Sequence, residues 1–221
     1  MTLLPITLSV KRGAFRGDQP SPPGSDMVYR KARERALKRD NFTCLFCGFR
    51  HPKNEVHHAD DNHDNHDVDN LVTACVLCHM SHHIAYAGIQ KRGSLIYLHD
   101  VSISQGALNQ LVRSLWVAEV LSKGDIKNTA VNLLSRLDKA ELMAAQVIGT
   151  SSPSVLGDFM FNLNSSDYEN RAESLKGIYL LPKKEAYAPY VKLWAAESKS
   201  FNPDEWTRKA KEKFELWKEN I

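Results

Sequence analysis

The chain's only cysteines fall in two short pairs, Cys44-Leu-Phe-Cys47 and Cys75-Val-Leu-Cys78. Each C-x-x-C turn presents two sulfurs to one point, so together they can close a tetrahedron around a single zinc ion, a closed structural site with no open position. Gly48, directly after the first pair, fits a tight turn of the kind whose backbone amides donate to metal-bound sulfur. Two disulfides are the competing use of four cysteines, but they belong to oxidising compartments. The opening MTLLPITLSV lacks the basic leader and small-residue cleavage site of a secretory signal, which makes the cytoplasm the expected compartment. Cys44, Cys47, Cys75 and Cys78 are therefore expected to be zinc ligands.

The rest of the composition narrows the class. With 221 residues, of which 43% are hydrophobic, the chain has enough apolar material for a core, so wholesale disorder is excluded. A mean hydropathy of −0.40 and the lack of any apolar run of bilayer length exclude a spanning helix. The net charge of +3 does not by itself imply nucleic acid; phosphate binding depends on where Lys and Arg cluster. They cluster on a segment from Asp26 to Arg39, read as a capped helix carrying Arg30, Lys31, Arg33, Arg35, Lys38 and Arg39, and on an arm with Lys11, Arg12 and Arg16.

Patterning gives a coarse map. Residues 5–11 alternate apolar and polar and predict a short strand; Gly17 to Ser25 is a Pro- and Gly-rich loop. After the first knuckle, Asn54 to His58 predicts a strand, an acidic loop runs to Asn70, and Leu71 to Cys75 leads into a helix carrying Cys78, His79, His82 and His83. Ser94 to Leu98 reads as a buried strand. Beyond it the periodicity turns helical: Leu108 to Trp116, Ile126 to Leu137, Val155 to Leu163, Ser166 to Leu175, Lys184 to Ser198, and Glu205 to Glu219 with Trp206, Ala210, Phe214 and Trp217 on one face. The expected fold class is α+β, with a small amount of strand in a zinc module and a mostly helical C-terminal half. The expected division is 1–100, holding the strand, basic helix and zinc module, and 101–221, a helical region packed on it.

Of nine histidines, all but His99 lie between His51 and His83. His63 and His66, inside the acidic loop, read as solvated polar residues. The order Cys44-x-x-Cys47, Val56-His57-His58, Asp69-Asn70-Leu71-Val72, Cys75-x-x-Cys78-His79 resembles the HNH endonucleases, whose ββα-metal fold is pinned by a four-cysteine zinc. That resemblance covers about forty residues. It implies His58 as general base, Asn70 holding its loop and orienting the imidazole, and His57 and His79 facing a second divalent ion, with His82 or His83 as a further ligand. A histidine of near-neutral pKa can take a proton from water, and a hard cation can stabilise the transferred phosphate. Against cleavage stand Asp60, Asp61, Asp64, Asp67 and Asp69 in the intervening loop, which repel a phosphate backbone.

A longer resemblance, across nearly the whole chain, is to the IcmJ (DotN) family of type IVB Dot/Icm secretion and IncI-type conjugation systems. It is carried by Arg39-Asp-Asn-Phe-Thr-Cys44-Leu-Phe-Cys-Gly-Phe49, Asn70-Leu-Val-Thr-Ala-Cys75, Gly93-Ser-Leu-Ile-Tyr-Leu98, Ser152-Pro-Ser-Val-Leu-Gly157, Leu180-Leu-Pro182 and Lys192-Leu-Trp-Ala-Ala196. The last four stretches lie outside any HNH core. The resemblance implies a non-catalytic, HNH-like zinc scaffold that binds the C-terminal tail of a coupling ATPase, beside other coupling-complex subunits. Such a protein would be cytoplasmic, recruited to the inner membrane through its partner, and would help recruit substrates for export. The exposed members of Trp194, Trp206 and Trp217 are the candidate anchors for that tail. The family has lost the HNH catalytic residues, whereas His57, His58, Asn70 and His79 all stand here, so a metal-dependent endonuclease is the alternative and a zinc-stabilised nucleic-acid binder without cleavage a third reading.

Overall fold

A computed structural model of the chain describes residues 2–11, 25–60, 62, 64–99 and 103–198. Helix α1 spans Ser25–Arg39 and buries Ala32, Ala36 and Leu37 against Val56 and Leu71. It stops because Asn41 and Phe42 take left-handed backbone angles (φ 51° and 56°), turning the chain into the first cysteine knuckle. Strands β1 (Glu55–His58) and β2 (Leu71–Ala74) pair antiparallel, Glu55 opposite Ala74 and His58 opposite Leu71. A lone two-stranded ribbon is marginal in water. Here α1 packs on it, and so does α2 (Val76–Met80). A short helix α3 (Ile84–Ile89) follows.

The remaining elements build around a second ribbon. Strand β3 (Gly93–Tyr97) pairs antiparallel with β4 (Ile178–Pro182), Gly93 opposite Pro182. Between them in sequence come α4 (Gln105–Leu121), α5 (Gly124–Ile148), α6 (Pro153–Phe161), α7 (Ser165–Glu169) and α8 (Arg171–Ser174). A 3-10 turn over Lys184–Tyr187 leads into α9 (Ala188–Glu197). Local chemistry sets the boundaries: Ser104 caps α4 by accepting from the Ala107 amide, Gly149 ends α5 in the left-handed region (φ 77°), and Pro153 opens α6 where its missing N–H costs nothing. The edge of β4 is closed by a side chain. The Gln105 carboxamide accepts from Leu180 N at 2.9 Å and donates to Leu180 O at 2.8 Å, as a neighbouring strand would. One hydrophobic cluster runs from Leu8 and Val10 through the four cysteines to Leu108, Val112, Met160, Leu180 and Trp194, so residues on both sides of position 100 share it.

The chain is thus mixed α and β, mostly helical with small sheets, and several expectations change in detail. Residues 5–11 do not form a strand. They run as a strap that buries Leu8 and Val10, touching its neighbours through single bonds: Leu4 N to Leu45 O, Ser9 N to Ser81 O and Ile84 N to Ser9 O. That strap also breaks the helix expected through His83. Ser9 occupies the Ser81 carbonyl and the Ile84 amide that a continuous helix would pair, so α2 ends at Met80 and His82 and His83 lie in the turn before α3. Strand β4 forms where the patterning predicted no element, the helix expected from Lys184 becomes a 3-10 turn plus α9, and the one expected over 166–175 splits at Asn170. Trp194 is buried, only 4% exposed, which removes it as a tail anchor. The arm residues Arg12 and Arg16, most of the Gly17 to Ser25 loop and the helix expected over 205–219, with Trp206 and Trp217, lie outside the described residues.

Candidate metal centre

The first knuckle is a tight hairpin. Cys44 N bonds Phe49 O, Gly48 N bonds Cys44 O, and the Asn54 side chain donates to the carbonyls of Phe42 and Phe49 at 2.9 and 2.8 Å, pinning both its ends. The second knuckle is the start of α2, with Cys75 as its N-cap residue and Cys78 one turn on. Leu45 N to Thr73 O ties the two knuckles together. All four cysteines are buried, and their sulfurs lie within 4.8 Å of one another. The Cys47 and Cys75 sulfurs are 3.7 Å apart. That is far beyond the ~2.05 Å of a disulfide. It matches the edge of about 3.8 Å of a tetrahedron built on zinc–sulfur bonds of ~2.3 Å.

The protonation pattern also suits a cation. Hydrogen bonding from the neighbouring thiols, Cys44 first, then Cys75 and Cys78, holds Cys47 far below the ordinary thiol range, with the Arg113 charge adding to the effect. The same sharing, again led by Cys44, raises Cys75 and Cys78 well above it. Four sulfurs this close cannot all ionise beside one another, and a divalent ion removes that conflict. The four cysteines could hold a metal ion, and the donor set and spacing fit zinc.

Sequence reasoning missed what holds this centre from the other side. Helix α4 sits directly on the first knuckle: a Cβ on Gly106 would lie 2.3 Å from the Phe46 carbonyl oxygen. From the same helix, Asn109 Nδ2 donates to Cys78 Sγ at 3.4 Å and Arg113 Nη1 approaches Cys47 Sγ at 3.9 Å. The signal was faint: Gln105, Asn109 and Arg113 repeat at four-residue spacing on the face that also carries Leu108 and Val112, but Gln110 and Ser114 make the helix polar elsewhere as well.

A second group forms beside the cysteines. Successive side chains of β1 point to opposite faces. His57 faces α2, stacked on His82 with ring centroids 4.1 Å apart and 5.6 Å from His79. The His79 and His83 Nε2 atoms are 3.3 Å apart, and ligand atoms of His57, His79 and His83 lie within 4.8 Å of one another. Two imidazoles on one tetrahedral ion at ~2.1 Å sit about 3.4 Å apart, so this trio also fits a divalent ion. His79 Nδ1 pairs with Glu55 Oε2 at 2.7 Å, which turns Nε2 toward the trio. Burial pushes the Glu55 carboxyl up, but the His79 hydrogen bond and charge, with Arg92 and Arg33, outweigh it and hold it below its ordinary value. His82 is different: burial, then the charges of His57 and His79, drive it well below the usual imidazole range, so it packs as a neutral ring.

The four residues expected to act as a catalytic set are only partly gathered. His57 and His79 converge, with His83. His58 points the other way, its ring 5.8 Å from both Tyr29 and His66. Asn70 spends its carboxamide on the acidic loop, accepting from Asp60 N at 3.1 Å and donating to Asp60 Oδ1 and Asn65 O at 2.8 and 3.1 Å. The loop itself is ordered by side chains accepting from backbone two residues on, as Asn62 N to Asp60 and Asp69 N to Asp67. Of the basic helix, Arg39 is a structural clamp, donating to the carbonyls of Val68 and Leu71 at 2.8 and 2.7 Å. Among the described residues no helix is long and apolar enough to cross a membrane.

Fold and site together define a mostly helical α+β protein built on a buried four-cysteine centre. No family model matches the chain. It is 28% identical over 178 residues to the type 4 apparatus protein DotN of Legionella pneumophila, a match spanning 78% of this chain and 82% of DotN. The chain is a homologue of DotN, and the match supports its place in the IcmJ/DotN family.

Proposed function

We propose that this protein is a zinc-pinned, HNH-like scaffold subunit of a type IVB secretion or conjugation coupling complex, binding the C-terminal tail of the coupling ATPase and so helping to recruit substrates for export. The observation that carries the reading is the likeness to a type 4 apparatus protein along four fifths of both chains. The buried cysteine tetrad supports it, because a closed sulfur site serves structure rather than turnover. In this reading zinc is held by Cys44, Cys47, Cys75 and Cys78, and the protein acts in the cytoplasm, reaching the inner membrane through its partner and neighbouring subunits. The domain division at about residue 100 becomes one of ancestry, an HNH-like module followed by helices that share its core. With Trp194 inside, the tail would have to use other anchors, among them Trp206 and Trp217.

The test is a pull-down of full-length protein with the ATPase tail, beside a His57→Ala/His79→Ala double variant. The scaffold reading expects equal capture by both; no capture by the zinc-loaded wild type would sink it.

The histidine trio suits a second reading of the same module, a metal-dependent HNH endonuclease with a divalent ion at His57 and His79, His83 completing the set, in which His58 would have to act as base from the opposite face of β1. Three protein ligands leave a position for water or phosphate, as hydrolytic sites require. Plasmid incubated with Mg²⁺, Mn²⁺ or Ni²⁺ separates the two. Cleavage that disappears in His58→Ala establishes the nuclease; intact plasmid in every metal eliminates it and leaves DNA binding to be scored by shift assay.

A further inference from the structure

The buried polar stripe on α4 has no part in the reading above. Gln105, Asn109 and Arg113 are 4%, 1% and 6% exposed, on a helix whose other inward residues are Gly106, Leu108, Val112, Leu115 and Trp116. Burying polar groups in an apolar seam is costly unless each finds a partner, and the three do so in series. Gln105 is locked to the Leu180 backbone through both ends of its amide, which directs its remaining N–H to Asn109 Oδ1 at 3.0 Å. Asn109 therefore presents its NH₂ to Cys78 Sγ and to Ser81 Oγ, each at 3.4 Å. One turn further, the Arg113 guanidinium lies 3.6 Å over the Phe49 ring and 6.0 Å from Trp194, with Nη1 3.9 Å from Cys47 Sγ. The Asn109 amide and one arm of the Arg113 guanidinium thus face sulfur, and among the described residues no carboxylate pairs with Arg113.

Four thiolates around a divalent ion leave an excess of about two negative charges in a buried site. A fixed guanidinium and an oriented amide on two of the four sulfurs offset that excess. We propose that Arg113 and Asn109 are positioning residues for the metal centre: from the helical half of the chain they place a fixed positive charge and an amide donor against two of the four sulfurs and so set how long the ion stays bound. This rests on the cysteine tetrad holding zinc. Through Phe49 and Trp194 the same guanidinium joins α4 and α9 to the first knuckle, so retention of the metal and docking of those helices rise and fall together.

The experiment uses full-length protein. Elemental analysis of the wild type should give one zinc per chain; a wild type purified under reducing conditions that neither holds nor takes up zinc sinks the zinc reading and this inference with it. With zinc present, release to the chromogenic chelator 4-(2-pyridylazo)resorcinol is timed for the wild type, Arg113→Met, Arg113→Lys and Asn109→Asp, each checked by circular dichroism. Arg113→Met should lose zinc about 10- to 100-fold faster, the scale found when outer partners of a metal site are removed. Arg113→Lys, which keeps the charge, should recover most of that loss. Asn109→Asp, matched in shape but facing Cys78 with a carboxylate, should also accelerate release and shift the sulfur-to-cobalt charge-transfer band of the Co²⁺-loaded protein. Wild-type release rates in Arg113→Met, or equal acceleration in the methionine and lysine variants, would overturn the charge role while leaving the zinc reading intact. If Arg113→Met does not fold, Asn109→Asp decides: an unchanged rate and band reject the proposal.

Discussion

Asp40 shows how one carboxylate can hold two elements together. It is 6% exposed, accepts both arms of the Arg39 fork at 2.7 and 2.8 Å, and accepts from the Thr73 amide of β2 at 3.2 Å. Burial pushes its carboxyl up, but the Arg39 and Thr73 hydrogen bonds with the Arg39 charge more than cancel this, leaving it below its ordinary value. The folded pKa is therefore the lower one, so the stabilisation is complete above the unfolded value near 3.9 and is lost as pH falls through the folded value. Asp40→Asn should cost about 2 kcal/mol at neutral pH, the scale of hydrogen bonds to a charged group. In urea melts the gap between wild type and variant should stay constant from pH 8 to about 5 and narrow only below about 4; a gap that closes near pH 6 would assign the effect to another group. None of this was legible beforehand, because an aspartate after a basic helix reads as surface until β2 is seen to lie beside it.

Among the elements, α3 and α6 are the most closely packed helices. A Cβ on Gly157 would stand 2.5 Å from Ala85 Cβ and 2.7 Å from Ala85 Cα, a crossing that only glycine permits. Gly157→Ala should raise helix propensity yet destabilise the fold by about 1 to 3 kcal/mol, since overpacking outweighs the propensity gain. Chemical denaturation measures it, and a stabilised variant would contradict the packing. Helices α4, α5 and α6 were legible in their apolar periodicity, as was the ribbon strand at Ser94, whose run of Leu95 and Ile96 is fully buried. The strap at Ser9 and the strand β4 were not. The first is extended chain whose partner is a turn, and the second is a short apolar run whose only strand partner lies before five intervening helices.

For the whole molecule, the cysteine tetrad and the core are one object, because the four cysteines belong to the same hydrophobic cluster as Leu108, Leu180 and Trp194. Cys78→Ser, or prolonged chelation, should therefore do more than loosen two knuckles. It should lower the melting temperature of the entire chain in one transition and increase hydrogen exchange in α4 and α9, as expected where metal-binding free energy is folding free energy. Two separated transitions would show instead that the halves fold apart. The amino-acid sequence by itself brought out the two cysteine pairs that could share one metal ion, the mixed class with its helical second half and the likeness to DotN, because each is written in local spacing or in residues that match one by one. Only the tertiary structure decided which histidines meet, that His58 turns away from His57 and His79, and that Asn109 and Arg113 reach the sulfurs. The physical reason is range: the spacing within a turn or a helix fixes which side chains share a face, but which face meets which is set by the packing of segments far apart in the chain.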